Sequence, residues 1–265
     1  MRLSMPSPPR SEATVAGGQP VDVCLVHGWG FGPEVWDHLV GLLPAHWRPH
    51  RLRLPGYGTM PEPASDIGLD GYVENLLTQA PRGRSFWMGW SLGGMVAMQL
   101  AWRHPHRVEA LMLLSANIRF TSGPDWPCGV PADELRAISA LLHRTDAPTT
   151  LRYFAKLVAR GAPEPQRVQQ QLRTSIETGS TPSRATLNAG LELLSTADLR
   201  TTFARLSQLT VVIVGDRDPL LPASAADHMR ALNPHLQTVT VHGAGHALPV
   251  THPEAVLEAA AKVVR

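Results

Sequence analysis

A serine attacks a carbonyl carbon efficiently only when a base takes its proton and donors receive the charge that develops on oxygen. The 265-residue chain carries residues suited to all three tasks. Ser91 lies in Gly89-Trp90-Ser91-Leu92-Gly93, a G-x-S-x-G pattern with an apolar run before it and helical spacing from Leu92 to Arg103 after it. That context predicts a nucleophile elbow, a sharp strand-to-helix turn that projects the hydroxyl above a sheet edge. Gly89 and Gly93 would lack the Cβ atoms that collide where strand and helix cross. The N–H of Leu92 would lie at a helix N-terminus, where partial positive charge collects. The competing reading is a serine helix cap on an ordinary glycine-rich turn.

In such a turn the partners should follow in the order serine, acid, histidine. Val211 to Gly215 reads as a strand that ends in Asp216-Arg217-Asp218-Pro219, and Gly243-Ala244-Gly245-His246 follows the short run Thr238 to Val241. Two aspartates compete. Asp218 is preferred as the acid, and Asp216 is assigned to the turn, since aspartate readily bonds local backbone. Of the twelve histidines, His246 alone combines a small-residue loop with the required chain order. His27, His104, His106, His242 and His252 are read as structural. The second oxyanion donor is expected from His27-Gly28-Trp29-Gly30, after an early strand, with the Trp29 N–H as donor and its ring as a wall of the acyl pocket. The alternative there is a tight turn with a packed tryptophan.

These residues need a scaffold that brings loop ends together. Short apolar runs at Val21 to Val26, Ala110 to Leu114, Leu209 to Val214 and Thr238 to Val241 alternate with helical periodicity. The spacing predicts a mostly parallel α/β sheet flanked by helices. Pro253 to Val264 reads as a helix with proline in its first turn. Between residues 118 and 199 strand-like runs give way to amphipathic helices, with Leu151, Phe154, Ala155 and Val158 at i, i+3, i+4, i+7. The expected organisation is a loose tail over 1–20, a core of 21–117 and 200–265, and a helical cap inserted at 118–199.

Composition limits the alternatives. Hydrophobic content of 43% and charged content of 17% are those of a globular chain. The net charge is +2, and 22 of the 24 basic residues are arginine. Neither nucleic acid nor a membrane is expected as a partner, since no apolar run approaches the ~20 residues that span a bilayer. Cys24 and Cys128 are too few for a disulfide framework, which fits a reducing, cytoplasmic location. Cys24 falls in a strand-like run and reads as a buried thiol.

At these residues the chain resembles the α/β-hydrolases, and within them the pimeloyl-acyl-carrier-protein methyl ester esterases of biotin synthesis. The similarity is carried by His27-Gly28-Trp29-Gly30 with Glu34-Val35-Trp36, and by the elbow with Trp90 before the serine. It continues in Asp125-Trp126-Pro127, and in Asn188 to Leu194 with Asp198-Leu199-Arg200. It runs from about Val21 to the C-terminus. The resemblance implies a monomeric esterase that needs no metal or organic cofactor and acts on acyl carrier protein bearing a pimeloyl methyl ester. Ser91 would attack, His246 would take its proton, Asp218 would orient the imidazole, and the N–H groups of Trp29 and Leu92 would hold the oxyanion. Phe154, Ala155, Lys156, Leu157 and Val158 would contact substrate, together with Trp29, Ser91, Leu92 and His246.

Between Arg136 and Arg184 lie eight basic and three acidic residues. Arg152, Lys156 and Arg160 recur at i, i+4, i+8, so a basic helix face is expected to steer the acidic carrier, with Arg167 beside it. The alternative is a merely solvated face. The chain departs from the resemblance at Thr149 and Tyr153, where arginines are common. A general short-chain carboxylesterase, a carbon–carbon bond hydrolase and a non-catalytic binding scaffold of the same fold remain open at this stage.

Overall fold

The structure, a computed structural model, describes residues 19–64, 66–178 and 181–264. Most of the expected tail therefore lies outside the described residues. Six parallel strands form one sheet in the order β2-β1-β3-β4-β5-β6. They are β1 (Val21–Val26), β2 (Trp47–Leu52), β3 (Ser85–Trp90), β4 (Val108–Leu114), β5 (Leu209–Gly215) and β6 (Gln237–Val241). The central strands β3, β4 and β5 are buried almost throughout. A parallel sheet covered on both faces requires such continuous apolar strands. β2 has no such signature: Trp-Arg-Pro-His-Arg-Leu is polar, and its middle residues face outward. It pairs with β1 from one side only, an edge position that tolerates Pro49. Cys24, in β1, is a free buried thiol, and burial pushes its pKa up to about 12.

Helices α1 (Asp37–Gly41), α2 (Gly68–Gln79) and α3 (Leu92–Arg103) precede β4. Among the described residues five helices then separate β4 from β5: α4 (Ala132–Arg144), α5 (Ala147–Val158), α6 (Pro165–Thr178), α7 (Arg184–Thr196) and α8 (Arg200–Ala204). After β5 come α9 (Ala225–Leu232), α10 (Leu248–Thr251) and α11 (Pro253–Ala261). The last helix stops three residues short of its expected end. Local chemistry starts the inserted helices. The Asp146 carboxylate accepts from the Thr149 N–H at 2.7 Å at the head of α5, and Ser183 Oγ accepts from the Thr186 N–H at 3.1 Å at the head of α7. Two stretches singled out in the sequence meet where this segment leaves and re-enters the sheet. Asp125 lies 2.7 Å from Arg119 and 2.8 Å from Arg200, and the Leu199 N–H donates to the Ile118 carbonyl at 2.8 Å. No helix among the described residues is long and apolar enough to cross a membrane.

The crossing of β3 and α3 depends on missing side chains. A Cβ on Gly89 would lie 2.5 Å from Gly94 Cα, so the strand does touch its own helix there. Gly93 differs from expectation. Its Cβ would meet the carbonyl oxygens of Val26 and His27 at 2.4 Å, so this glycine lets α3 approach the end of β1 rather than β3. Backbone cannot move aside as a side chain can. We expect Gly93→Ala to cost on the order of 3 kcal/mol in urea unfolding. Gly41→Ala should change stability by less than about 1 kcal/mol, in the stabilising direction, because nothing lies within 4 Å of the new methyl. Equal midpoints for the two variants would contradict this packing.

Candidate active site

Ser91 connects β3 to α3 with φ 54° and ψ −120°, one of two non-glycine residues at positive φ among those described. Its main chain is fully engaged. The N–H donates to the Leu114 carbonyl at 3.0 Å, and its carbonyl accepts from the N–H groups of Gly94 and Met95 at 2.9 and 3.2 Å. Its side chain makes no capping hydrogen bond to α3, so the hydroxyl is not spent on ending the helix. The serine-cap alternative therefore fails on geometry.

Parallel strands bring the loops after β3, β5 and β6 to one edge of the sheet. There, His246 Nδ1 lies 3.0 and 2.9 Å from the two carboxylate oxygens of Asp218. A carboxylate only accepts, so Nδ1 carries the proton and donates it, which leaves the Nε2 lone pair free. Nε2 is buried and has no hydrogen-bond partner among the described residues, Ser91 included. Asp218 Oδ1 also accepts from the N–H groups of Leu220 and Leu221 at 2.8 and 3.0 Å. Asp216 does not reach His246. It accepts from the Gly243 N–H at 2.7 Å and lies 3.1 Å from His242 Nδ1, and so braces the turn after β6 rather than its own loop.

The loop after β1 lies against the serine: a Cβ on Gly28 would be 3.2 Å from Ser91 Cβ. His27 holds this loop. Its Nε2 accepts from the Leu54 N–H at 3.1 Å, so Nδ1 bears the proton and donates to the Gly28 carbonyl at 2.9 Å. The Gly30 N–H donates to the Tyr57 hydroxyl at 2.8 Å. Trp29 is packed, as the alternative reading had it, and its Nε1 donates to the Leu187 carbonyl of α7 at 2.9 Å. Gly190, also on α7, fits against the Trp29 ring, where a Cβ would lie 2.5 Å from Cδ1 and 3.5 Å from Leu92 Cδ2. Trp29 and Leu92 thus flank one spot. The Leu92 N–H opens α3 and has no partner within the helix.

Aromatic rings line the same region. Phe154 meets Trp29 edge-on at 4.7 Å and stacks on Phe31 at 5.7 Å, and Phe31 stacks on Trp90 at 5.6 Å. Phe31 and Gly190 gave no chemical signal in the sequence; an apolar residue and a glycine look like ordinary packing. Of the five consecutive residues expected to touch substrate, Phe154, Ala155, Leu157 and Val158 are buried, and Lys156 is exposed. The correction follows from helix geometry, which turns successive residues by ~100° and cannot aim five at one pocket. Arg152, Lys156, Arg160 and Arg167 are all exposed, and Arg167 pairs with Glu164 at 3.1 Å. The expected helical face is shorter than its spacing suggested, because α5 ends at Val158 and Arg160 lies in the turn beyond it.

The site is closed: Ser91 is 7% exposed, Asp218 8% and His246 1%. The segment after α5 seals it. A Cβ on Gly245 would lie 2.5 Å from the Arg160 carbonyl oxygen, so the backbones touch beside His246. A cavity of about 610 Å³ opens elsewhere, between α4 and α7, lined by Arg119, Arg136, His143, Asn188 and Glu192 among others. Among the described residues no three His, Cys, Asp or Glu side chains gather as metal ligands would.

This arrangement defines an α/β-hydrolase: residues 25–259 match the alpha/beta hydrolase family model, and the chain belongs to that family. The fold is shared with an esterase from Exiguobacterium antarcticum, at a TM-score of 0.81 and 22% identity, over 93% of this chain and 91% of that one. A bromoperoxidase from Bacillus anthracis shares it at a TM-score of 0.80 and 19% identity, over 93% and 92% of the two chains. Sequence narrows the class. The chain is 38% identical to the pimeloyl-acyl-carrier-protein methyl ester esterase of Nitrosomonas europaea, over 89% of this chain and 93% of that protein. It is 35% identical to the Yersinia enterocolitica protein of the same name, over 91% and 92% of the two chains. The chain belongs to the family of these esterases.

His27 ties the loop after β1 to pH. Burial is the main cause that lowers its pKa from 6.5 to about 4. The folded state keeps it neutral while the unfolded chain takes up a proton below pH 6.5. Its contribution is therefore complete above pH 6.5 and is lost as pH falls toward 4, a difference of about 3 kcal/mol. His27→Gln should flatten the fall of the urea midpoint between pH 6.5 and 4.5 relative to wild type. Parallel curves would show that another group sets this limb.

Proposed function

We propose that the protein hydrolyses the methyl ester of pimeloyl-acyl carrier protein, releasing methanol and pimeloyl-acyl carrier protein in biotin synthesis. It would act as a monomer in the cytoplasm, with residues 118–199 as a cap over the sheet edge. The carrying observation is His246, with Nδ1 held by Asp218 and Nε2 buried and unpartnered on the edge that bears the elbow serine. Ser91 Oγ attacks the ester carbonyl while Nε2 takes its proton. The tetrahedral oxyanion is held by the N–H groups of Trp29 and Leu92. As the intermediate collapses, the C–O bond to the methoxy group breaks and His246 returns the proton to it, giving methanol. Water, deprotonated by the same nitrogen, then cleaves the acyl-serine. Asp218 stabilises the imidazolium formed at each stage.

The surroundings support an apolar chain tethered from outside. Trp29, Phe31, Trp90 and Phe154 offer ring faces suited to methylene groups. Helix α5 turns Phe154, Ala155 and Val158 inward and Arg152 and Lys156 outward, and Arg160, two residues past its end, is exposed as well. One helix thus contributes to the acyl pocket and presents positive charge to an acidic carrier.

Methanol release from methyl-pimeloyl carrier protein tests the reading directly. Wild type should release it, and Ser91→Ala should lose on the order of 10⁶-fold in kcat. A wild-type protein that cleaves short esters but leaves the tethered ester intact would be a general esterase instead. For the basic face, the triple change Arg152→Glu, Lys156→Glu and Arg160→Glu should raise KM for the tethered substrate about tenfold or more. KM for a short free ester should move far less. Equal shifts in both would rule out docking through α5.

A further inference from the structure

Trp90 is the last residue of β3 and is 1% exposed. Its indole N–H donates to the main-chain carbonyl of His246 at 2.8 Å, and its ring lies 5.8 Å from the imidazole. A single side chain, one residue before the serine, thus grips the residue that must accept the serine's proton. The other ties of this loop fall before His246. The Gly243 N–H donates to Asp216 at 2.7 Å, the Arg217 N–H donates to the Ala244 carbonyl at 2.9 Å, and Gly245 packs against the Arg160 backbone. Asp218 fixes the rotation of the His246 ring through Nδ1 but leaves the height of the main chain open. The Trp90 bond supplies that second coordinate. Because the carbonyl is buried, losing its donor is strongly disfavoured, so the loop has one favoured register.

We propose that Trp90 is a positioning residue for the esterase reaction, setting His246 against Ser91 through this N–H···O=C bond. The stack from Trp90 through Phe31 to Phe154 of α5 makes the register depend on the helix that covers the site. The inference rests on the proposed roles of Ser91 and His246. It assigns to the Trp90 N–H an effect on the chemical step, and leaves substrate binding to the ring face.

Trp90→Phe keeps a ring to stack on Phe31 and removes the donor. Kinetics per folded protein should show kcat reduced about 10–100-fold with KM within twofold, for a short free ester and the tethered ester alike. Labelling of Ser91 by a serine-directed phosphonate should slow by a similar factor. Unchanged kcat, or a rise in KM as the dominant effect, would overturn the proposal. If Ser91→Ala retains activity, the parent mechanism fails instead, which separates the two failures. Should Trp90→Phe not fold, wild-type protein still answers. The Trp90 indole proton should be protected from solvent exchange and should shift when Ser91 is phosphonylated; rapid exchange with no shift would overturn the assignment.

Discussion

A serine held at φ 54° and ψ −120° is a strained residue, and the rest of the site follows from what holds it there. Such a backbone costs about 1–3 kcal/mol and persists only when its surroundings over-determine it. Three main-chain hydrogen bonds do so, reaching back to β4 and forward into α3. The close approach of α3 to β1 at Gly93 does the rest. The strain has a consequence: it keeps the hydroxyl out of the helix cap. In the proposed reaction it would also leave the first N–H groups of α3 free to meet an oxyanion. A relaxed turn would bury the same serine as an ordinary cap.

The second constraint is the burial of Asp218 with His246. A charged carboxylate in so dry a place is costly unless its oxygens are filled, and here two backbone N–H groups and the imidazole fill them. This satisfaction makes the acid a firm anchor. It fixes the tautomer of His246 and leaves the opposite nitrogen as the one free basic position. Asp216, two residues earlier, is spent on bracing the turn after β6, so neighbouring carboxylates divide scaffold from chemistry.

Much of this was legible in the sequence because it was written as order along the chain. A glycine-flanked serine, an aspartate after one strand and a histidine after the next need only a parallel sheet to converge. What escaped was written in contacts. β2 was invisible because an edge strand needs only one buried flank, so Arg48, Pro49 and His50 leave no apolar run. Gly93 was rightly marked as a close approach, but its neighbour is β1, which no local pattern reveals. The family resemblance implies substrate contact for all of residues 154–158, and helical rotation turns Lys156 out to solvent. Phe31 and Gly190 carry no chemistry of their own. They matter only because Trp90, Phe154 and Trp29 come to lie beside them.

Recognition and chemistry are therefore difficult to separate in this molecule. Helix α7 receives the Trp29 indole on the Leu187 carbonyl and fits Gly190 against the ring, so the loop after β1 is shaped partly by a helix inserted between β4 and β5. Helix α5 stacks Phe154 onto the rings that lead to Trp90, and the backbone that follows α5 touches Gly245 beside His246. With Ser91 only 7% exposed, the proposed acyl chain would reach it by parting these same contacts. A cover that merely excluded water could pack on the sheet edge anywhere. These helices are seated on residues that flank Ser91, Leu92 and His246, so in the proposed reaction their closure over a bound chain would also restore the packing that holds those residues in place.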